Sequence, residues 1–259
     1  MTCGRFIHAS LGFFGRCALC GVPLSTDEEH AGPSSICSDC WRALLSWMYD
    51  SYAVRCLRCG AVRLIDEIPC RRCSGTIFDE TDGKHICCGP YRGDGKTLLV
   101  AYKFHGRKGL AQVVAALFEK ELKSIYGTAP LCLIPVPSSL ANRKRRGWDQ
   151  MELVCFALAK NEGWFVVPAL ERQEGGTEQK TLTRGQRLAQ ARLGFRVGSE
   201  GIRGLRSVAL RSYGVRFIVV DDVCTTGATL RACRASVASV LEKMPGIRAT
   251  VDELSLCEA

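Results

Sequence analysis

The chain has 259 residues, of which 47% are hydrophobic and 24% are charged. These proportions are ordinary for a globular protein and exclude a largely disordered or collagen-like chain. No apolar run approaches the roughly 18–20 residues that cross a bilayer. The mildly apolar N-terminal stretch lacks a signal-peptide cleavage site, so we expect a cytoplasmic protein without a membrane span. The formal net charge of +9 favours an anionic partner, either nucleic acid or a phosphorylated small molecule.

Hydrophobic spacing predicts alternating helices and strands in the second part of the chain. In chain order, the predicted elements are helices at 41–52, 97–104 and 110–126, a strand at 131–137, a helix at 151–160, a strand at 164–170, a short helix at 187–193, a strand at 215–221, a helix at 228–243 and a strand at 247–256. A long polar loop is predicted at 171–186. This alternation indicates an α/β fold with a mostly parallel sheet and crossover helices.

Eight of the 16 cysteines form four C-x-x-C pairs within residues 17–73. The candidate metal ligands are Cys17, Cys20, Cys37, Cys40, Cys56, Cys59, Cys70 and Cys73. Two such pairs complete a tetrahedral site of four sulfur atoms, which favours zinc, and we predict two structural Zn²⁺ ions. Sequential and interleaved pairings both fit the spacing. One zinc ion with redox-active pairs, or an iron–sulfur cluster, remains an alternative.

The change in composition near residue 80 suggests two domains. We predict a double zinc ribbon at 1–80, a linker at 81–90 and an α/β domain at 91–259. The first segment has few core residues and would be marginally stable without metal, which contributes on the order of 10 kcal/mol per structural site. Turn signals mark the linker, which we expect to include a short strand with buried thiols.

The segment 217–230 has the clearest chemistry. A hydrophobic strand leads into Asp221 and Asp222, and a loop of small residues then leads into a helix. Backbone N–H groups of such a loop, together with the helix dipole, bind an anion, and Gly227 permits a positive φ. Two carboxylates would repel a phosphate alone but accept hydrogen bonds from hydroxyl groups. The pattern therefore predicts a ligand with a sugar diol beside its phosphate.

This segment resembles the 5-phosphoribosyl-1-pyrophosphate (PRPP) signature of type I phosphoribosyltransferases. The resemblance implies that Asp221 and Asp222 hold the ribose hydroxyls and stabilise a cationic transition state, with Mg²⁺ bound to the pyrophosphate. It implies that the 5′-phosphate is bound by Cys224, Thr225, Thr226, Gly227, Ala228 and Thr229. A similar pyrophosphate loop would consist of Val136, Pro137, Ser138 and Ser139. The loop at 172–187 matches the family's flexible catalytic loop, whose basic groups would be Lys180, Arg184 and Arg187.

The order of motifs along nearly the whole chain, from about Cys17 to Cys257, resembles the ComF family. After the Cys-rich segment the motifs are Lys103-Phe-His-Gly-Arg107, Pro135-Val-Pro137, Arg146-Gly-Trp-Asp-Gln150, Gln186-Arg187 and Val220-Asp-Asp-Val-Cys-Thr-Thr-Gly227. The resemblance implies a double zinc ribbon before a type I phosphoribosyltransferase fold, and a role in DNA uptake during natural competence. Trp148-Asp149 replaces the family's usual Phe-Asn, and the charge of Asp149 argues against an anion contact there.

These features leave three functional hypotheses. The first is a PRPP-binding protein linked to DNA uptake, and the second is an active phosphoribosyltransferase of nucleotide metabolism or salvage. The third is a zinc-ribbon protein that binds single-stranded DNA and retains a relic pocket. A basic run ending in an aromatic residue suits phosphate contact and base stacking; its members are Arg143, Lys144, Arg145, Arg146 and Trp148. The cations at 143–146 fit a lid over the PRPP site equally well. A glutamine-dependent reaction is not expected, because residue 2 is Thr and no glutaminase domain is evident.

Overall fold

The computed structural model describes residues 15–24, 32–50, 56, 83–173, 194–247 and 249–259. Several predictions therefore lie outside the described residues. These concern Cys59, Cys70 and Cys73, the short helix at 187–193, and the basic loop residues Lys180, Arg184 and Arg187. No helix within the described ranges is both long and apolar enough to cross a membrane.

A five-stranded sheet forms the centre of the fold, and all its neighbouring strands are parallel. Its strands are β1 (His85–Pro90), β2 (Leu131–Pro135), β3 (Phe165–Val166), β6 (Arg216–Cys224) and β7 (Val251–Glu258). They lie in the order β1-β7-β6-β2-β3. A separate antiparallel pair consists of β4 (Leu170–Arg172) and β5 (Phe195–Val197). The sheet therefore has β6 at its centre.

Seven helices are described. They are α1 (Ser38–Asp50), α2 (Gly93–Phe104), α3 (Leu110–Tyr126), α4 (Leu140–Arg146), α5 (Gln150–Glu162), α6 (Ser199–Arg211) and α7 (Ala228–Glu242). The core on one face of the sheet contains residues of α1, α2, α3 and α5. The core on the opposite face contains residues of α6 and α7. This arrangement of helices around a parallel sheet confirms the predicted α/β fold class.

The apolar run in β6 reflects burial on both faces. Ile218 and Val220 belong to the core beneath α3 and α5, whereas Phe217 and Val219 belong to the core beneath α7. All four side chains are fully buried. A strand covered on both sides has no solvent face, so its sequence does not alternate with polar residues.

The structure differs from the predicted elements in several places. The predicted strand at 164–170 is divided into β3 and β4, with Pro168 between them, because proline cannot donate a ladder hydrogen bond. By contrast, the short strand with buried thiols predicted within 81–90 is confirmed, because His85–Pro90 form β1, pair with β7 and bury Cys87 and Cys88. The last strand begins at Val251 rather than at residue 247. Helices α4 and α6 were not predicted, although Leu205 and Val208 of α6 are buried at helical spacing.

Candidate active site and metal centre

The predicted acid pair lies at the carboxyl end of β6, beside the carboxyl end of β2. These two strands are neighbours, and the chain leaves them in opposite directions. After β2 it continues through α5 to β3, whereas after β6 it continues through α7 to β7. Such a point, where the strand order reverses, opens the crevice in which open α/β sheets bind ligands. The topology therefore places Asp221 and Asp222 at the expected position for a ligand site.

The two carboxylates have different surroundings. Because side chains alternate between the two faces of a strand, Asp222 points to the same face as Val220, which is the face covered by α2. Its Oδ1 lies 2.8 Å from Lys103 Nζ on that helix. Asp221 Oδ1 accepts the backbone N–H of Asp222 at 2.8 Å. Burial, followed by the charge of Asp222, raises the pKa of Asp221 to about 8, while Lys103 acts in the opposite direction. Asp221 is therefore a carboxyl group whose charge is poorly compensated without a ligand.

The loop after the acid pair leads directly into α7. Thr225 and Thr226 are exposed, and Cys224 is buried in the core. Gly227 has φ +70°, and a Cβ added there would collide with Arg231 Nη1. Arg231 in turn donates to the carbonyl oxygen of Thr226 at 2.6 Å. A cation thus lies against the loop that would hold a phosphate, and sequence reasoning had not singled out this arginine.

Ala228 and Thr229 form the start of α7, a 15-residue helix. Both are partly exposed, and the Ala228 N–H donates to Thr226 Oγ1 at 3.3 Å. The unpaired N–H groups of a helix N-terminus and its dipole favour an anion at this end. The predicted phosphate-loop residues are therefore contiguous at the end of β6 and the start of α7.

The predicted pyrophosphate loop follows β2, but most of its backbone N–H groups are occupied or absent. Val136 donates its N–H to Val220, and Pro137 has none. Ser138 donates its N–H to Asp149 Oδ2 at 2.8 Å. Ser139 caps α4 by accepting the N–H of Asn142. The loop is held in place by these bonds, and little of its backbone remains to bind an anion directly.

Asp149 has a structural role that accounts for its departure from the family motif. One carboxylate oxygen accepts the Ser138 N–H, and the other caps α5 by accepting the N–H groups of Met151 and Glu152. The side chain is buried. A carboxylate at a helix N-cap is favoured by the helix dipole. Asp149 therefore fixes the pyrophosphate loop against α5.

Some residues of the basic run are exposed, and others contact neighbouring side chains. Arg143, Lys144 and Arg145 are exposed on α4, whereas Arg146 is half-buried and donates to Gln150 Oε1. The ring of Trp148 lies 5.2 Å from that of Tyr102, and Lys108 lies 5.7 Å above the Trp148 ring. Trp148 is thus partly buried against the core, and its role in base stacking stays a prediction.

Cys17, Cys20, Cys37 and Cys40 form the one cluster of candidate metal ligands among the residues that the structure describes. Their Sγ atoms all lie within 4.8 Å of one another, and those of Cys20 and Cys37 are 3.8 Å apart. A tetrahedron with zinc–sulfur bonds of about 2.3 Å has edges of about 3.8 Å. The four thiols therefore fit a structural zinc ion, and they correspond to the sequential pairing of C-x-x-C motifs.

Local backbone geometry favours the ionised form of one of these thiols, that of Cys17, whereas burial raises the pKa of Cys40. Leu19 and Cys20 donate their N–H groups to Cys17 Sγ, each at 3.4 Å. Burial opposes ionisation of Cys17, but hydrogen bonds from the backbone of Cys20, Cys37 and Leu19 outweigh it and lower the pKa to about 6. Cys37 directly precedes α1, and Cys40 lies in its first turn. Cys56 is buried, and its predicted partners lie outside the described residues.

The cysteine cluster is attached to the α/β core through the turn between α2 and α3. Arg107 Nη1 donates to the carbonyl oxygens of Ala18 and Leu19, at 2.6 and 3.0 Å. Ser35 Oγ donates to the carbonyl oxygen of Gly109 at 3.2 Å. The Lys103–Arg107 motif thus contacts the acid pair at one end and the cysteine cluster at the other.

Together, the parallel sheet and the N-terminal cluster of four cysteines define an α/β protein with a phosphoribosyltransferase-like fold and a zinc-ribbon-like N-terminal segment. No protein-family model matches the chain. It is 27% identical over 250 residues to the DNA utilization protein YhgH of Salmonella typhimurium, covering 94% of this chain and 96% of that protein. The Escherichia coli K12 protein of the same name is 26% identical, covering 88% and 90%. Competence protein F of Haemophilus influenzae is 25% identical, covering 90% and 94%. These relatives confirm the resemblance to ComF proteins.

Proposed function

We propose that the chain binds PRPP with Mg²⁺ at the carboxyl edge of β2 and β6, and that it acts in DNA uptake or utilisation. The observation that carries the proposal is the acid pair, Asp221 and Asp222, followed by a threonine-rich loop at the start of α7. A ribose phosphate needs hydroxyl acceptors next to an anion site, and this arrangement supplies both within one short segment of the chain.

The charges around the acid pair support a polyanionic ligand bound with a cation. Lys103 already neutralises Asp222, so the poorly compensated carboxyl group is Asp221. Hydroxyl donors of a ribose, or a Mg²⁺ ion carried by the ligand, would favour its ionised form. Arg231 next to the loop would attract the 5′-phosphate. The DNA role is supported by the names of the relatives, "DNA utilization protein" and "Competence protein F".

The test is calorimetric titration of the metal-loaded protein with PRPP and Mg²⁺. The double variant Asp221→Asn/Asp222→Asn should abolish saturable binding. Glu242→Gln is the matched control, because it removes an exposed acid at the opposite end of α7, about 20 Å from the loop at 1.5 Å per residue. Absence of binding by the folded wild-type protein would refute the proposed pocket.

A second candidate function, direct binding of single-stranded DNA, is favoured by the exposed cations of α4. Arg143, Lys144 and Arg145 are consecutive and exposed. Reversing the charges of Arg143 and Arg145 should weaken binding to an oligo-dT strand and, at about 0.7 per lost phosphate contact, reduce the salt slope by about 1.4. Lys120→Glu/Lys160→Glu changes the charge equally at exposed positions on α3 and α5. Equal losses in both double variants would indicate non-specific attraction by the net charge.

A further inference from the structure

Two buried side-chain donors near the acid pair have no hydrogen-bond acceptor. They are Arg146 Nε and Gln150 Nε2, and neither finds a partner among the described residues. Gln150 is only 2% exposed. Both nitrogen atoms carry hydrogens and can only donate. Because buried polar groups are nearly always paired, these two orphan donors indicate an acceptor that lies outside the described part of the chain, and a bound ligand would supply one.

The orientation of the Gln150 amide is determined by its surroundings. Arg146 Nη1 donates to Gln150 Oε1, so a flipped amide would bring two donors together. The backbone of Gln150 is also held, because Tyr102 Oη donates to its carbonyl oxygen at 2.8 Å. The hydrogen bond from Arg146 therefore fixes which amide atom is the oxygen, and Gln150 Nε2 is the donor without an acceptor.

The charges around these donors indicate what they would bind. Arg146 lies close enough to Asp222, Asp149 and Tyr102 to interact with them electrostatically, which places it on the α2 side of the β6 end. Asp149 and Asp222 are already engaged, with backbone N–H groups and with Lys103 respectively. A ligand that meets Arg146 and Gln150 must therefore bring acceptors, and a guanidinium ion favours anionic ones.

We propose that Arg146 Nε and Gln150 Nε2 form a subsite for a phosphoryl oxygen beside the acid pair. The inference rests on the proposed function in placing the ligand at the same edge of the sheet. The phosphoryl group could come from the pyrophosphate of PRPP or from a backbone phosphate of single-stranded DNA. These sources share the chemistry that the donors recognise, and separate binding measurements distinguish them.

The experiment replaces Gln150 with Met, which is similar in volume and cannot donate. The affinity of the metal-loaded protein for Mg²⁺-pyrophosphate, for PRPP and for an oligo-dT strand is then measured by calorimetry and fluorescence anisotropy. We expect at least a tenfold loss of affinity for one of these ligands. The melting temperature should stay within a degree or two, because the variant loses one hydrogen bond but also removes a buried orphan donor.

Two further variants separate the subsite from a structural role. Arg146→Lys keeps the charge but removes Nε, and should weaken the same ligand as Gln150→Met. Gln112→Met makes the same exchange at an exposed position of α3 and should leave every affinity unchanged. A structural role would instead lower the melting temperature of Gln150→Met and leave the affinities as they are.

The possible results distinguish the phosphoryl subsite from the PRPP pocket. Unchanged affinity of Gln150→Met for all three ligands would overturn the subsite and assign the orphan donors to ordered water, even if PRPP binding still required Asp221. A loss confined to oligo-dT in a protein that does not bind PRPP would support the subsite and refute the PRPP pocket. Failure of the wild-type protein to bind any of the three would overturn both.

Discussion

Replacing Asp221 with Asn should stabilise the free protein at neutral pH and abolish ligand binding. The folded chain raises the pKa of this carboxyl group from 3.8 to about 8. Between those values the folded state retains a proton that the unfolded state releases. Stability therefore falls as the pH rises through this window. Asn has nearly the same shape but no charge, so it removes this penalty.

The magnitude follows from the size of the pKa shift. At 1.36 kcal/mol per unit, the penalty at pH 7 has an upper bound of about 4 kcal/mol. Because Asp221 is only partly buried in surface area, solvent screening reduces this bound, and we expect about 2 kcal/mol. For a chain of this size, that corresponds to an increase of roughly 4–8 °C in melting temperature. Below about pH 4 the difference should vanish, because the carboxyl group is protonated in both states.

The assay is urea unfolding of the wild-type protein and Asp221→Asn at half-unit steps from about pH 4.5 to about pH 8.5. Glu253, whose pKa is raised to about 7 mainly by burial, is common to both proteins, so its contribution cancels in the difference. Adding Mg²⁺ and PRPP should stabilise only the wild-type protein. If the variant is less stable than wild type at pH 7, or if its stability differs from wild type by the same amount at every pH, the pKa of Asp221 is not raised by folding.

Three other perturbations test the metal centre and the loop. Cys37→Ser should reduce the bound metal by one ion per chain in elemental analysis. It should also destabilise the N-terminal segment, since a structural zinc site contributes on the order of 10 kcal/mol. An unchanged metal content would exclude this cluster as the metal site. Arg107→Ala should speed hydrogen exchange at residues 17–24 several-fold, because two hydrogen bonds to that turn are lost; unaltered exchange would show that the bonds are dispensable. Gly227→Ala should lower the free energy of unfolding in urea by about 1–2 kcal/mol. The φ of Gly227 is positive, and the Cβ of an alanine there would collide with Arg231. An unchanged free energy of unfolding would mean that the loop relaxes.

Sequence reasoning succeeded where the signal is local. The apolar run of β6 predicts a strand buried on both faces, and the acids and threonines that follow it are contiguous in space because they are contiguous in the chain. The role of Asp149 also had a local signal. Glu152 lies three residues after it, which is the spacing of a capping box at a helix start, so the N-cap could have been predicted.

The contacts between distant segments could not be predicted in this way. Lys103 pairs with Asp222 from a distant part of the chain, and nothing near either residue identifies its partner. The orphan donors of Arg146 and Gln150 are visible only once burial is known. The packing of Trp148 against Tyr102 is another such contact, because the basic run before this aromatic residue predicts only base stacking.

The motif from Lys103 to Arg107 connects the candidate ligand site to the metal centre. Lys103 belongs to α2, whose neighbouring side chains Leu99 and Tyr102 are buried in the same core as Trp41 and Met48 of α1. Arg107 follows the end of this helix and reaches the cluster from a turn. The core therefore holds the metal segment by apolar packing as well as by these hydrogen bonds, so the metal centre and the helix that carries Lys103 are parts of one packed unit.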